Sequence, residues 1–272
     1  MPWRAGRPCL LLHLLTLYKD KGLTSSCRCL LLTSRARFPY LAEWRSIQST
    51  PRAIREDPLF PGKLIFYPVE AIRTLRALPP AAYYARERSL PPHSSTPLPP
   101  AAASPRLDVE LSFLPPFPSG ASFGLSVLGG AANVTVDMVG DSTCGASTLV
   151  EAEGGGTATS SSSATSSSIT TACANLTIGP HRGPFRFRTD APLELRVLVD
   201  GSVVEGFVAG GRAAVTRRVY PASDAPLASS LINIGPAAVK LLSLGAYRMA
   251  DVMGKEADRV SPEELRRKAA AR

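Results

Sequence analysis

The chain is poor in the residues from which most enzyme sites are built. It carries 3 histidines in 272 residues, His13, His93 and His181. None stands at metal-ligand spacing from a cysteine or carboxylate, so no zinc-type motif is present and neither a metal nor a cofactor is expected. Serine is abundant, yet no G-x-S-x-G elbow occurs, which excludes the usual nucleophile turn of α/β-hydrolases. Aromatics make up 7% of the chain. The arginines behind the net charge of +9 are scattered and not interleaved with stacking aromatics, so no nucleic-acid partner is expected and the charge reads as surface. No apolar run approaches the roughly 20 residues of a membrane span. The nearest, at 9–17, follows Arg4 and Arg7 as a short signal-peptide core would, but lacks a clear small-x-small cleavage site. Residues 1–40 therefore read as a leader, either a targeting segment or one set by a start placed inside a longer gene. Cys9, Cys27 and Cys29 have no partner motif.

What is present is period-two alternation. Leu107, Val109, Leu111 and Phe113 face one way while Asp108, Glu110 and Ser112 face the other, and 123–128 and 134–139 supply further strands. Leu195, Val197 and Val199 alternate with Arg196, Leu198 and Asp200. Asp200-Gly-Ser202 then turns the chain into a second β-branched run, and Gly210-Gly211 turns it again before the alternation resumes to Pro221. Runs at 231–234 and 239–249 close the set. Several short strands at regular spacing predict an all-β fold, an antiparallel β-sandwich of two packed sheets, over residues 107–250. A sandwich of that size buries roughly 70% of its unfolded surface. The tract 154–171 is Gly, Ser and Thr with almost nothing to bury, and reads as a disordered loop inserted between strands. Residues 79–106 are Pro-rich and read as an extended linker that holds neither helix nor ladder. Ser261-Pro-Glu-Glu is a helix start with Ser as N-cap and Pro behind it, giving a helical tail over 251–272.

The run LRVLVDGSVVEGFVAGGRAAVTRRVYP at 195–221 closely resembles a segment of the family 32 glycoside hydrolases, the invertases, fructan exohydrolases and fructosyltransferases. Their C-terminal sandwich carries L-R-V-L-V-D-x-S-[IV]-V-E-x-F-x-x-G-G-R-x-x-[IV]-T-x-R-V-Y-P, and Gly201 stands where His or Arg is common. Far upstream, WRSIQSTPR at 44–52 resembles that family's W-x-G-[IL]-Q-x-x-P-R, with Ser46 in place of Gly. LIFYPVEAIRTLR at 64–76 resembles L-x-Q-x-P-[VI]-E-E-I-x-x-L-R, with Phe66 and Ala71 as departures. The resemblance implies that residues 41–78 are the last part of a catalytic propeller and its connection to the sandwich. Independently, Pro68 followed by Val69, Ile72 and Leu75 at helical spacing predicts a helical turn there.

By the same resemblance, retaining hydrolysis needs two carboxyl groups roughly 5 Å apart, placed in W-x-N-D-P-N-G and E-C motifs with a third carboxylate in R-D-P. The first two motifs do not occur in this chain. Arg55-Glu-Asp-Pro58 imitates the third, but has an inserted Glu and follows the propeller-closing segment, so Asp57 reads as a solvated turn. No catalytic residue is assigned. Cys144 and Cys173 flank the 154–171 tract and are either two free buried thiols or a candidate disulfide, which the family often has in this domain; a bridge closing about thirty residues would contribute roughly 3 to 4 kcal/mol in the chain-entropy model. Asn133 and Asn175 head N-glycosylation sequons, meaningful in a secreted chain. Trp44, Gln48, Asp200, Glu205, Arg212 and Arg217 are candidate domain-interface residues, with satisfaction of turns and strand edges inside the sandwich as the alternative. The resemblance implies sucrose or fructan as substrate only through a propeller, in an extracellular or vacuolar setting. The expected function is thus a family 32 sandwich lacking its propeller and inactive alone. Two alternatives stand beside it, a carbohydrate-binding or regulatory sandwich and a subunit completing a separately encoded propeller.

Overall fold

In a computed structural model of the chain, residues 32–33, 46–76, 83–144, 170–221 and 227–250 are described. Leu32–Thr33 (β1) pairs with Ser46–Ile47 (β2), and Arg52–Glu56 (β3) pairs with Leu64–Pro68 (β4) as a hairpin of its own, ahead of a 3-10 turn at Glu70–Leu75. The other strands are Tyr83–Leu90 (β5), Ser94–Pro97 (β6), Arg106–Leu114 (β7), Ser122–Val127 (β8), Ala132–Val139 (β9), Thr171–Ile178 (β10), His181–Arg188 (β11), Leu193–Asp200 (β12), Val203–Val208 (β13), Ala213–Arg218 (β14), Ser230–Asn233 (β15) and Val239–Arg248 (β16). They form two six-stranded antiparallel sheets. The first has the order β11-β10-β9-β8-β15-β6 and the second β14-β13-β12-β7-β16-β5.

The alternation read from sequence explains the core. Leu107, Val109, Leu111 and Phe113 of β7, with Leu193, Leu195, Val197 and Val199 of β12, line the inner face of the second sheet. Phe123 and Leu125 of β8, Val134 and Val136 of β9, and Leu176 and Ile178 of β10 belong to the same buried cluster from the first sheet. Phe113 and Phe123 meet with ring centroids 4.6 Å apart. Each such side chain contributes about 1.5 to 3 kcal/mol on burial, so the inner faces are the main stabiliser of the sandwich.

Composition misjudged the Pro-rich stretch. Instead of a linker, residues 83–97 supply an edge strand to each sheet: β5 pairs with β16, and β6 pairs with β15. Proline is tolerated at sheet edges, where an absent N–H breaks no interior ladder, and Leu90, Leu98 and Ala102 anchor the stretch by burial. Asn233, 1% exposed, ties it down further by donating from Nδ2 towards the carbonyls of Leu90, Pro91 and Ala237. Strands β10 and β11 also escaped the alternation reading.

Cys144 and Cys173 are joined as a disulfide with Cα atoms 6.0 Å apart, which ties the 3-10 turn Asp141–Cys144 to β10. The two sequons differ in setting. Asn133 is exposed on β9, whereas Asn175 is 9% exposed in the middle of β10 between Asp137 and Pro184. Expressed through a secretory pathway, the chain is expected to carry glycan at Asn133 and none at Asn175, a difference that peptide mapping by mass spectrometry reads directly; occupancy of Asn175 would contradict it. Trp44, nearly all of the leader, residues 154–169 and the tail 251–272 lie outside the described residues.

Candidate functional site

The outward positions of the second sheet should be solvated if the sandwich stood alone, yet several are fully buried. Asp108 is 0% exposed, Arg196 1%, Glu205 2% and Phe207 0%. All four lie on outward parity: Arg196 is opposite Phe207 and Glu110, while Leu198 is opposite Glu205 and Asp108. Residues 46–76 cover them, so a third layer sits on the outer face of this sheet.

Three charged contacts fasten that layer. The first is Glu205, whose carboxylate accepts from the Thr50 backbone N–H at 2.8 Å, from Arg52 Nη2 at 2.8 Å and from Thr216 Oγ1 at 2.7 Å. The second is Arg212, which donates from Nε and Nη2 to the two oxygens of Asp57 at 2.7 and 2.9 Å. This paired, forked geometry is the strong form of a guanidinium–carboxylate contact. Asp57 is 2% exposed, which corrects the expectation of a solvated turn: it is the buried acid of the β3–β4 loop, where it also accepts from the Leu59 N–H. The third contact centres on Asp108, which accepts from Arg196 Nε and Nη2 at 2.9 and 2.8 Å and from Arg76 Nε at 2.8 Å. Glu110 completes it, 2.7 Å from both Arg73 Nη2 and Arg76 Nη2.

Aromatic contacts fill the space between. Tyr67 meets Phe207 edge-on with centroids 6.1 Å apart, and Arg52 lies over the Phe207 ring at 5.1 Å. Arg76 stacks on Tyr247 at 3.7 Å. Burial pushes the Tyr67 phenol above its ordinary pKa, against the pull of the neighbouring Arg196 cation. For Glu110, burial alone would raise the pKa, but the Arg76 and Arg73 guanidiniums outweigh it and hold the carboxyl below its ordinary value. A depressed folded-state pKa stabilises the fold above the unfolded value, about 4.3 for Glu, and that contribution is lost as pH falls through the lower folded value. Denaturant unfolding across a pH series is therefore expected to show stability declining below about pH 4.3; a wild-type decline unchanged by Glu110→Gln would show that Glu110 contributes none of it.

At the turn of Gly210 and Gly211 the backbone of the sandwich lies close against that of the covering layer. Gly211 has φ +98°, and a methyl group there would stand 2.7 Å from the Phe66 carbonyl carbon and oxygen. Gly211→Ala is expected to cost about 1 to 3 kcal/mol through backbone strain and to speed amide exchange in β4. A variant with the wild-type unfolding midpoint and exchange pattern would contradict this.

Of the six candidate interface residues, Glu205 and Arg212 reach the covering layer. Gln48 is exposed on the stretch leading into Thr50, and Trp44 is outside the described residues. Asp200 does not reach the layer: its side chain is 85% exposed, 3.9 Å from Arg106. Arg217 faces the other way, because it shares parity with core residue Val215 and not with Thr216; its guanidinium occupies the space that a side chain at Gly179 would need. Sequence reading missed Asp57, Asp108 and Arg196. Leu198 and Phe207, apolar at outward positions, were the available signal that this face is covered.

Among the described residues no group of three or more His, Cys, Asp or Glu is placed to hold a metal ion, and no helix is long and apolar enough to cross a membrane. What the arrangement defines is a two-sheet antiparallel sandwich with a charged outer face clamped to the chain segment that precedes it.

That class has a family. The family described as Glycosyl hydrolases family 32 C terminal matches residues 82–244, and the chain belongs to it. The insoluble beta-fructofuranosidase isoenzyme 5 of Oryza sativa subsp. japonica is 41% identical over 71 residues, which are 25% of this chain and 13% of that protein. Fructan 1-exohydrolase w3 of Triticum aestivum is 41% identical over 68 residues, 24% of this chain and 11% of that protein. The crystal structure of fructan 1-exohydrolase IIa from Cichorium intybus shares the fold, with a TM-score of 0.51 and 22% identity over 76% of this chain and 41% of the other. The chain thus spans well under half the length of the relatives it matches.

Proposed function

We propose that this chain serves as the C-terminal sandwich of a family 32 fructoside-cleaving enzyme, that its work is to brace the end of the catalytic propeller, and that it does not cleave sucrose or fructan alone. The observation that carries the reading is the clamp: Glu205, Arg212 and Asp108 of the sandwich bind residues 50–76, the stretch whose motifs resemble the close of the family's propeller. Bridging across layers with buried, oriented charges fixes position more than it adds raw stability, which suits a brace. Substrate contact then belongs to the propeller, where the family's carboxylate motifs reside.

The test has two arms. Purified chain incubated with sucrose or inulin is expected to release no sugar above the buffer blank. Co-expressed with a family 32 propeller cut ahead of its own sandwich, it is expected to recover soluble hydrolytic activity, and Glu205→Ala is expected to weaken that recovery. Turnover by the chain alone would overturn the reading. Failure of the chain to join any propeller, with its fold intact, would leave the stand-alone sandwich as the better account.

A further inference from the structure

The clamp leaves a cavity of about 210 Å³ between the covering layer and the outer face of the second sheet. Tyr67 of β4, Tyr84 of β5 and Tyr247 of β16 line it, together with Glu110, Glu194 and Arg196. Three of the chain's seven tyrosines therefore meet at one place, which the low aromatic content concealed. The lining charges balance: Arg73 and Arg196 stand against Glu110 and Glu194. A site with equal cations and anions has no net attraction for an ion of either sign.

Arg196 forms the closed floor of the cavity: its side chain is 1% exposed, Nε and Nη2 are committed to Asp108, and Nη1 is sealed from solvent. The polar groups left to meet a ligand are the tyrosine hydroxyls and the Glu110 and Glu194 carboxylates, which an apolar ligand would leave without partners. A neutral polyol fits these walls: its oxygens accept from the tyrosine hydroxyls, its hydroxyls donate to Glu110 and Glu194, and its C–H face lies against tyrosine rings. The cavity is smaller than the roughly 300 to 1,000 Å³ of common small-molecule pockets, so it suits one sugar ring and not a chain of them. The walls are pre-set, since Tyr247 is held between Gly245, where a methyl group would come 2.8 Å from its hydroxyl, and the Arg76 guanidinium.

We propose that this cavity binds a single neutral sugar ring, with Glu110 and Glu194 bonding its hydroxyl rim and Tyr84 closing the open side. The proposal does not rest on the bracing role, because the full chain forms the cavity by itself. Isotope-labelled full chain would be titrated with D-fructose, D-glucose and inorganic phosphate while amide shifts are followed. At least one sugar is expected to saturate in the millimolar range, moving the amides of Tyr84, Glu194 and Ser243, while phosphate does not. Tyr84→Ala, at a position 51% exposed, is expected to weaken binding at least tenfold, and Ser243→Leu, which fills the cavity, to abolish it. Absence of saturable shifts at these amides with both sugars would overturn the proposal. So would phosphate displacing the sugar, or sugar binding unchanged in Tyr84→Ala. If Ser243→Leu fails to fold, the surface variant decides.

Discussion

Asp108→Ala is expected to destabilise the chain by about 3 to 5 kcal/mol, the cost of stranding a buried charge when its partner is removed. The carboxylate is 0% exposed and lies between two guanidiniums, that of Arg196 beneath it in the sheet and that of Arg76 from the covering layer. Its removal leaves Arg196 buried with the partly exposed Glu110, 3.8 Å from its Nε, as its ion-pair partner. Two further variants separate this account from a simple packing loss. Asp108→Leu combined with Arg196→Met replaces the buried pair with apolar volume, and is expected to recover most of the lost stability, because a well-packed hydrophobic pair is often as stable as a buried ion pair. Arg76→Ala removes the less deeply buried side of the network, its side chain 13% exposed, and should cost less than Asp108→Ala. Equilibrium unfolding in denaturant reads all three. A loss of less than about 1 kcal/mol for Asp108→Ala, the range of exposed pairs, would show that the pair is solvated and that the covering layer does not seal this face.

How much of this was legible beforehand depends on which face of each strand is considered. Inner faces announce themselves, because Leu107, Val109, Leu111 and Phe113 make a period-two pattern that nothing but a sheet explains. The same pattern misleads on the outer face. Asp108 and Glu110 look like ordinary solvated residues of an antiparallel sheet, and only a third layer from distant sequence makes them buried. Leu198 and Phe207 signal that the face is covered, but no local pattern says by what; the alignment of Arg196 and Glu205 with Arg76 and Thr50 is a product of tertiary packing across more than a hundred residues. Motif resemblance did better than physics here, since it placed residues 44–76 and 195–221 in one architecture before any contact was known. Composition did worse. Proline marked residues 79–106 as a linker, although proline at an edge strand costs no interior hydrogen bond, and an edge strand on each sheet is what the stretch supplies. Asp57 reads in sequence as a solvated turn, while its partner Arg212 lies 155 residues away.

Glu205→Ala should release the covering layer more than it harms the sandwich. Glu205 is the acceptor for a backbone N–H, a guanidinium and a hydroxyl at once, so its removal strands three donors, of which the Arg52 guanidinium carries charge. Hydrogen bonds to charged groups contribute about 1.5 to 3 kcal/mol each, and breaking a buried pair costs about 3 to 5 kcal/mol in all. The loss falls on the interface and not on the inner core, because Glu205 points away from Val204 and Val208. Amide exchange should therefore accelerate at Thr50 and through β3 and β4 by orders of magnitude, while β7, β8 and β12 keep their protection. Glu205→Gln tests whether shape alone suffices. The amide retains one acceptor oxygen but presents an NH₂ group to donors, so it should recover only part of the effect. Uniform loss of protection across both sheets would mean that the layer and the sandwich unfold as one unit. That outcome would replace the picture of a clamped brace with a single cooperative core, in which residues 46–76 are as much a part of the fold as the strands they cover.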